Sequence, residues 1–141
     1  MKLKKHKKIH DGAGFVLYRE ANSRFEVLIL VKESGRFDIP KGHQDLLDVN
    51  NFTTAQRECF EETGIFIEPR MLLSNEKFVN GKLVIFCALT DQNPEINKNP
   101  VTGKIEHIDF FWASATLAQA ILPKYLANAV KWSTKLVLSN T

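Results

Sequence analysis

The chain has 141 residues, 44% hydrophobic and 25% charged, which suits one ordinary domain with enough apolar material for a real core. Its net charge of +3 is uneven, because residues 1–10 hold five lysines and no acid, leaving 14 basic against 16 acidic residues elsewhere. The pI of about 8.9 is therefore a property of a short tail, and a mean hydropathy of −0.18 with no long apolar run excludes a membrane-spanning helix.

In chain order, residues 1–10 read as a basic tail and 11–141 as a single domain. No apolar stretch follows Lys2, Lys4, Lys5, Lys7 and Lys8, so the tail is not a secretory signal. Two readings stay open for it: a frayed, solvated terminus, or an electrostatic contact with a polyanion such as RNA. Phe15–Tyr18 and Phe25–Val31 have strand character, joined by a turn at Ala21-Asn22-Ser23. The second run is apolar almost throughout, as expected of a strand covered on both faces. Residues 33–51, with Gly35, Pro40 and Gly42, read as a loop.

A helix is predicted to begin near Thr53 or Thr54, either of which is a plausible N-cap, and to stop at Gly64. Met71-Leu72-Leu73, Lys77-Phe78-Val79 and Leu83–Leu89 suggest further strands, the last two joined through the hairpin signal Asn80-Gly81. Residues 91–104 read as a polar loop, and Ile105–Trp112 returns to strand character. Ser114 is placed to cap a short helix over Leu117 and Ile121, and Pro123 to open a second, buried along Leu122, Leu126, Val130 and Val137.

The helix near the middle carries the chemistry. Glu58, Glu61 and Glu62 stand at i, i+3 and i+4, so all three project from one face. Carboxylates that close repel one another unless a cation offsets them, which makes the cluster a divalent-metal candidate. Phe52, Ala55 and Cys59 form an apolar edge beside that face and leave the acids free to line a cleft. Neither Cys59 nor Cys87 belongs to a C-x-x-C pair. Both read as small core residues, and a reducing, cytoplasmic setting is expected.

Gly42…Asp48…Arg57-Glu58-Cys59-Phe60-Glu61-Glu62-Thr63-Gly64-Ile65 resembles the signature G-x5-E-x7-R-E-U-x-E-E-x-G-U of the Nudix (MutT-like) hydrolases, where U is aliphatic. It departs in two ways: Asp48 stands where the family has Glu, and one extra residue separates it from Arg57. The Leu46-Leu47 pair also replaces the usual Gly-Glu. The resemblance implies an α/β fold, an α/β/α sandwich with a mixed sheet and a catalytic loop–helix–loop. It further implies a pyrophosphohydrolase that uses Mg2+, with Mn2+ as a substitute, held by Glu58, Glu61 and Glu62. Arg57 would act as a structural partner of the carboxylates.

Pro40-Lys41-Gly42-His43, with Glu106-His107 ahead of Trp112, is similar to the dinucleoside polyphosphate hydrolase branch of the family, diadenosine tetraphosphate being its type substrate. That likeness implies phosphate binding by Lys41, Gly42 and His43, and a distal metal-binding or base carboxylate at Glu106. Glu58, Glu61 and Glu106 remain alternative general bases. RNA 5′-pyrophosphohydrolases and decapping enzymes share Pro-Lys-Gly, so RNA is the alternative substrate, and a nucleotide-binding module without turnover is the alternative of another class. Phe37 and Tyr125 each invite a base-stacking role that the sequence does not decide.

Overall fold

The computed structural model describes residues 11–96, 103 and 105–140. The basic tail and most of the polar loop after Ile96 lie outside them. Among the described residues seven strands form one mixed sheet. Strand β1 (Gly12–Ala21) turns back into β2 (Arg24–Lys32) through Asn22 and Ser23, both at positive φ (52° and 64°). Two left-handed residues in succession match the right-handed twist of the flanking strands.

Strand β1 then pairs in parallel with β6 (Leu83–Leu89) along Gly12–Tyr18. Its other edge is shared. Tyr18–Ala21 pair with β2, whereas Gly12–Gly14 pair with β4 (Lys41–His43). Strand β2 likewise leaves β1 after Val27 and takes up β3 (Phe37–Asp38) on the same edge. Its opposite edge carries β7 (His107–Ala113). The two long strands thus diverge, and residues 37–43 are wedged between them, with the Phe15 N–H bonded to the Pro40 carbonyl at 3.0 Å. A Cβ on Gly14 would overlap the Pro40 carbonyl and Lys41, so the close approach requires glycine there.

Alternation along β1 assigns its side chains to two cores. Phe15 and Leu17, with Leu28, Leu30, Val84 and Phe86, pack under Ala55 and Cys59 of α1 (Asn51–Thr63). Val16 and Tyr18, with Val27, Ile29, Ile85 and Cys87, pack under Leu126, Ala129, Val130 and Val137 of α3 (Lys124–Ser139). Helix α2 (Ala115–Ile121) closes that second face. Helices on both faces of a mixed sheet make the α/β/α sandwich expected, and no described helix is long and apolar enough to cross a membrane.

Several local expectations need correction. Helix α1 starts earlier than predicted: Asn50 is its N-cap, its side chain accepting the Thr53 N–H at 2.8 Å. Thr54 is buried instead and donates to Asp48. Met71-Leu72-Leu73 is not a strand. Pro69–Met71 is a 3-10 turn, followed by a single bridge from Leu72 to Ala88. The span 33–51 contains β3 and β4, and the short helix α2 buries Ala118 while Leu117 is exposed. Phe37 packs edge-on against Phe111, ring centroids 5.7 Å apart, inside the α3-side core.

Candidate active site

Helix α1 is fixed at both ends, by Asn50 and by Gly64, whose φ of 74° ends it with an N–H bond to the Phe60 carbonyl. Its apolar edge lies on β1 and β6, which turns Glu58, Glu61 and Glu62 toward β4. Glu62 accepts the backbone N–H of Lys41 at 3.1 Å. Gly42 lies against Glu58 so closely that a Cβ would fall on the carboxylate. Strand β4 and α1 therefore meet at the acids, and the absence of a side chain at Gly42 makes the meeting possible.

Arg57 organises the outer side. Its guanidinium takes both oxygens of Asp48 (3.1 and 3.0 Å), Glu58 at 2.8 Å, Glu61 at 3.2 Å and the His43 carbonyl at 2.7 Å. Asp48 also accepts the Asp45 N–H and the Thr54 hydroxyl. The shorter acid and longer loop are accommodated by the turn 45–50, and Asp48 faces Arg57, so it grips the arginine from the loop side. Burial works to raise the Asp48 carboxyl, but Arg57, the Asp45 N–H and Thr54 outweigh it and hold it below its ordinary value. The Arg57 guanidinium is raised, first by Asp48 and then by Glu58.

Glu58 and Glu62 behave in the opposite way. Burial lifts the Glu58 carboxyl to about 7, with Arg57 pulling it down and Glu61 and Glu106 pushing it up. Burial also lifts Glu62 well above its ordinary value, against the Lys41 N–H and with the help of Glu58 and Asp38. Crowded, buried carboxylates with too little positive charge nearby are what a divalent cation neutralises, and their oxygens suit magnesium or manganese.

Across the cleft, Glu106, just before β7, and His107, its first residue, bring possible ligand atoms within 4.8 Å of one another and of Glu62. Glu106 is exposed and His107 is buried. Sequence reasoning passed over Asp38, which is 3% exposed. It bonds His107 Nε2 at 3.0 Å, Lys41 Nζ at 3.2 Å and the Ile39 N–H at 2.9 Å. Burial works to raise Asp38, but His107, Lys41 and Ile39 hold it below the ordinary value. Burial opposes the charge of Lys41 too, yet Asp38, Tyr125 and Glu62 raise its pKa. A lone acid between two apolar residues, Phe37 and Ile39, was the available signal.

Lys41, Gly42, His43, Lys82 and Tyr125 line a cavity of about 410 Å³. A larger one of about 600 Å³, bounded by Arg19, Arg70 and Gln92, contains none of the acidic-helix residues. The structure thus brings together Lys41, Gly42, Arg57, Glu58, Glu61, Glu62 and Glu106, with His43 exposed at the rim.

The family profile described as NUDIX domain matches residues 8–133. No curated protein matches the chain at a significant level. Among solved structures the chain is similar to a C. elegans Ap4A hydrolase in a binary complex, with a TM-score of 0.71 and 18% identity over 93% of this chain and 99% of that one. It is similar to the MutT protein of Methanosarcina mazei Go1, with a TM-score of 0.63 and 19% identity over 98% and 99%. The NUDIX domain of Shewanella oneidensis NrtR, co-crystallised with ADP ribose, gives 0.61 and 18% over 92% and 90%.

Proposed function

The chain belongs to the Nudix domain family, and from that premise we propose that it is a magnesium-dependent hydrolase of a pyrophosphate linkage in a nucleoside diphosphate derivative, with a dinucleoside polyphosphate as its substrate. The observation that carries this is the convergence of Glu58, Glu61 and Glu62 from α1 with Glu106 from just before β7, beside Lys41 and Gly42 of β4. When bound, the ion neutralises phosphate oxygens and lowers the pKa of water in contact with it.

The protein residues do the rest. Glu58, Glu61, Glu62 and Glu106 hold the ion. Lys41 and His43 receive phosphate oxygens along the cavity, Lys41 as a point charge. Arg57 keeps Glu58 and Glu61 aimed, with Asp48 keeping Arg57 in place. Water attacks phosphorus, a carboxylate among Glu58, Glu61 and Glu106 takes its proton, and the bridging P–O bond breaks to release two nucleotides. The open continuation past His43 toward Lys82 and Tyr125 leaves room for the second nucleoside.

The test is turnover of diadenosine tetraphosphate, ADP ribose and nucleoside triphosphates by pure protein in magnesium. Cleavage is expected, with the dinucleotide preferred, and the double variant Glu61→Gln with Glu62→Gln should lose it. Undiminished turnover in that variant refutes the assignment.

A further inference from the structure

We propose that His107 is a nitrogen ligand of the metal site, oriented by Asp38, and that the site therefore binds manganese(II) in preference to magnesium. This rests on the reading that the acidic cluster holds a divalent cation, and it goes beyond an all-oxygen ligand set.

Glu106 stands in a bend just ahead of β7, and His107 is the first residue of the strand. Strand β7 is irregular at this place. Val31 of β2 faces Asp109 and Lys32 faces His107, so Ile108 is an extra residue on β7 and the register shifts. A bulge of this kind re-aims a side chain. Just ahead of it, the buried His107 and the exposed Glu106 each bring a ligand atom close to Glu62.

The imidazole is held in one orientation. Nε2 lies 3.0 Å from Asp38 Oδ2, and because a carboxylate only accepts, Nε2 carries the proton. Nδ1 is the nitrogen turned toward the cluster, 4.0 Å from Glu62 Oε2. An ion with bonds of about 2.1–2.2 Å spans at most about 4.4 Å between opposite ligands, so that separation is within reach. Carboxylate, imidazole and metal in line is the arrangement that fixes a histidine's tautomer and makes it a better ligand. The other oxygen of Asp38 holds Lys41 Nζ, which draws that ammonium toward Asp38. Magnesium favours oxygen and water and accepts nitrogen poorly, whereas manganese(II), a transition-metal ion of similar coordination, tolerates an imidazole, so a mixed set shifts the preference from magnesium toward manganese(II).

The experiment is pulsed electron paramagnetic resonance of the full chain loaded with manganese(II). A directly bound 14N coupling is expected, converting to a 15N coupling when the protein is grown on 15N-histidine. It should survive His43→Gln and vanish in His107→Gln. Labelling tests for a histidine ligand without substitution, and its survival in the combined variant His6→Gln, His10→Gln and His43→Gln assigns the nitrogen to His107 even if the His107 variant does not fold. Asp38→Asn is expected to weaken manganese(II) binding about 10- to 100-fold while narrowing the preference over magnesium. Manganese(II) bound through oxygen alone, and lost in Glu62→Gln, overturns the histidine ligand and leaves the acidic metal site standing. No binding that depends on Glu62 overturns the metal reading itself.

Discussion

Removing divalent ions should make the protein less stable as pH rises, and returning them should reverse the loss. In the ion-free fold, burial lifts Glu58 from 4.5 to about 7. Between those values the native state keeps a proton that the unfolded chain has released. The stability associated with Glu58 is therefore complete below its unfolded value and is lost as pH climbs through about 7. A gap of about 2.5 units corresponds to about 3.4 kcal/mol at 1.36 kcal/mol per unit. Solvent screening at the partly exposed Glu58 side chain reduces this to about 1–2 kcal/mol. For a chain of this length that is a fall of about 3–8 °C in Tm.

Glu62, raised by burial, acts in the same direction. Asp38 and Asp48 are lowered, so their contribution is present above the unfolded value of 3.8 and is lost only as pH falls below it, outside this window. The assay is thermal melting in chelator from about pH 5 to pH 8, repeated with saturating manganese(II) or magnesium. The ion should stabilise far more at the alkaline end, and Glu58→Gln should flatten the chelator series. A chelator Tm that rises with pH, or a slope unchanged in Glu58→Gln, would mean that Glu58 keeps no proton in the fold.

Gly42→Ala places a methyl group on the Glu58 carboxylate, and displacement of that acid is expected to lower kcat/KM about 100-fold with little change in Tm. Activity close to wild type would mean that Glu58 is not held where the geometry puts it. Arg57→Lys keeps the charge but loses the paired bonds to Asp48 and the bond to the His43 carbonyl. Urea unfolding should show a loss of about 2 kcal/mol, together with reduced turnover. Deleting residues 2–8 should leave hydrolysis of diadenosine tetraphosphate unchanged, and a selective, salt-dependent loss on triphosphorylated RNA would favour RNA as the substrate instead.

The parts of the site that lie close in sequence were legible from the residues themselves, Lys41, Gly42 and Glu106 only through the family resemblance, and the pairing of Asp38 with His107 not at all. Glu58, Glu61 and Glu62 share a face because helical spacing demands it, and Gly64 ends the helix because only glycine takes a φ of 74° without strain. The hairpin at Asn22-Ser23 was legible for the same local reason. Asn50 was missed as the cap because Thr53 and Thr54 carry equally suitable side chains, and what separates them is Thr54's bond to Asp48, six positions away. Met71-Leu72-Leu73 has a strand's composition, but Pro69 starts a 3-10 turn before them. Strands β3 and β4 are two and three residues long and hold their place only by filling the gap between β1 and β2. Asp38 and His107 are 69 positions apart, and their pairing depends on the β2–β7 register and its extra residue. No periodicity records that.

Strand β1, which packs under α1, and the turn 45–50, which braces Arg57, should open on different timescales. Strand β1 is bonded on both edges, to β6 on one and to β2 and β4 on the other, and carries both cores on its faces. Its amides should exchange with solvent only through global unfolding. The turn 45–50 is exposed over most of its length and held largely through Asp48, Arg57 and Asn50. Its amides should exchange through local opening, orders of magnitude faster. The strand under α1 is thus expected to be rigid on the lifetime of the fold while the turn that braces Arg57 opens far more often, and hydrogen exchange would resolve the two without any ligand present.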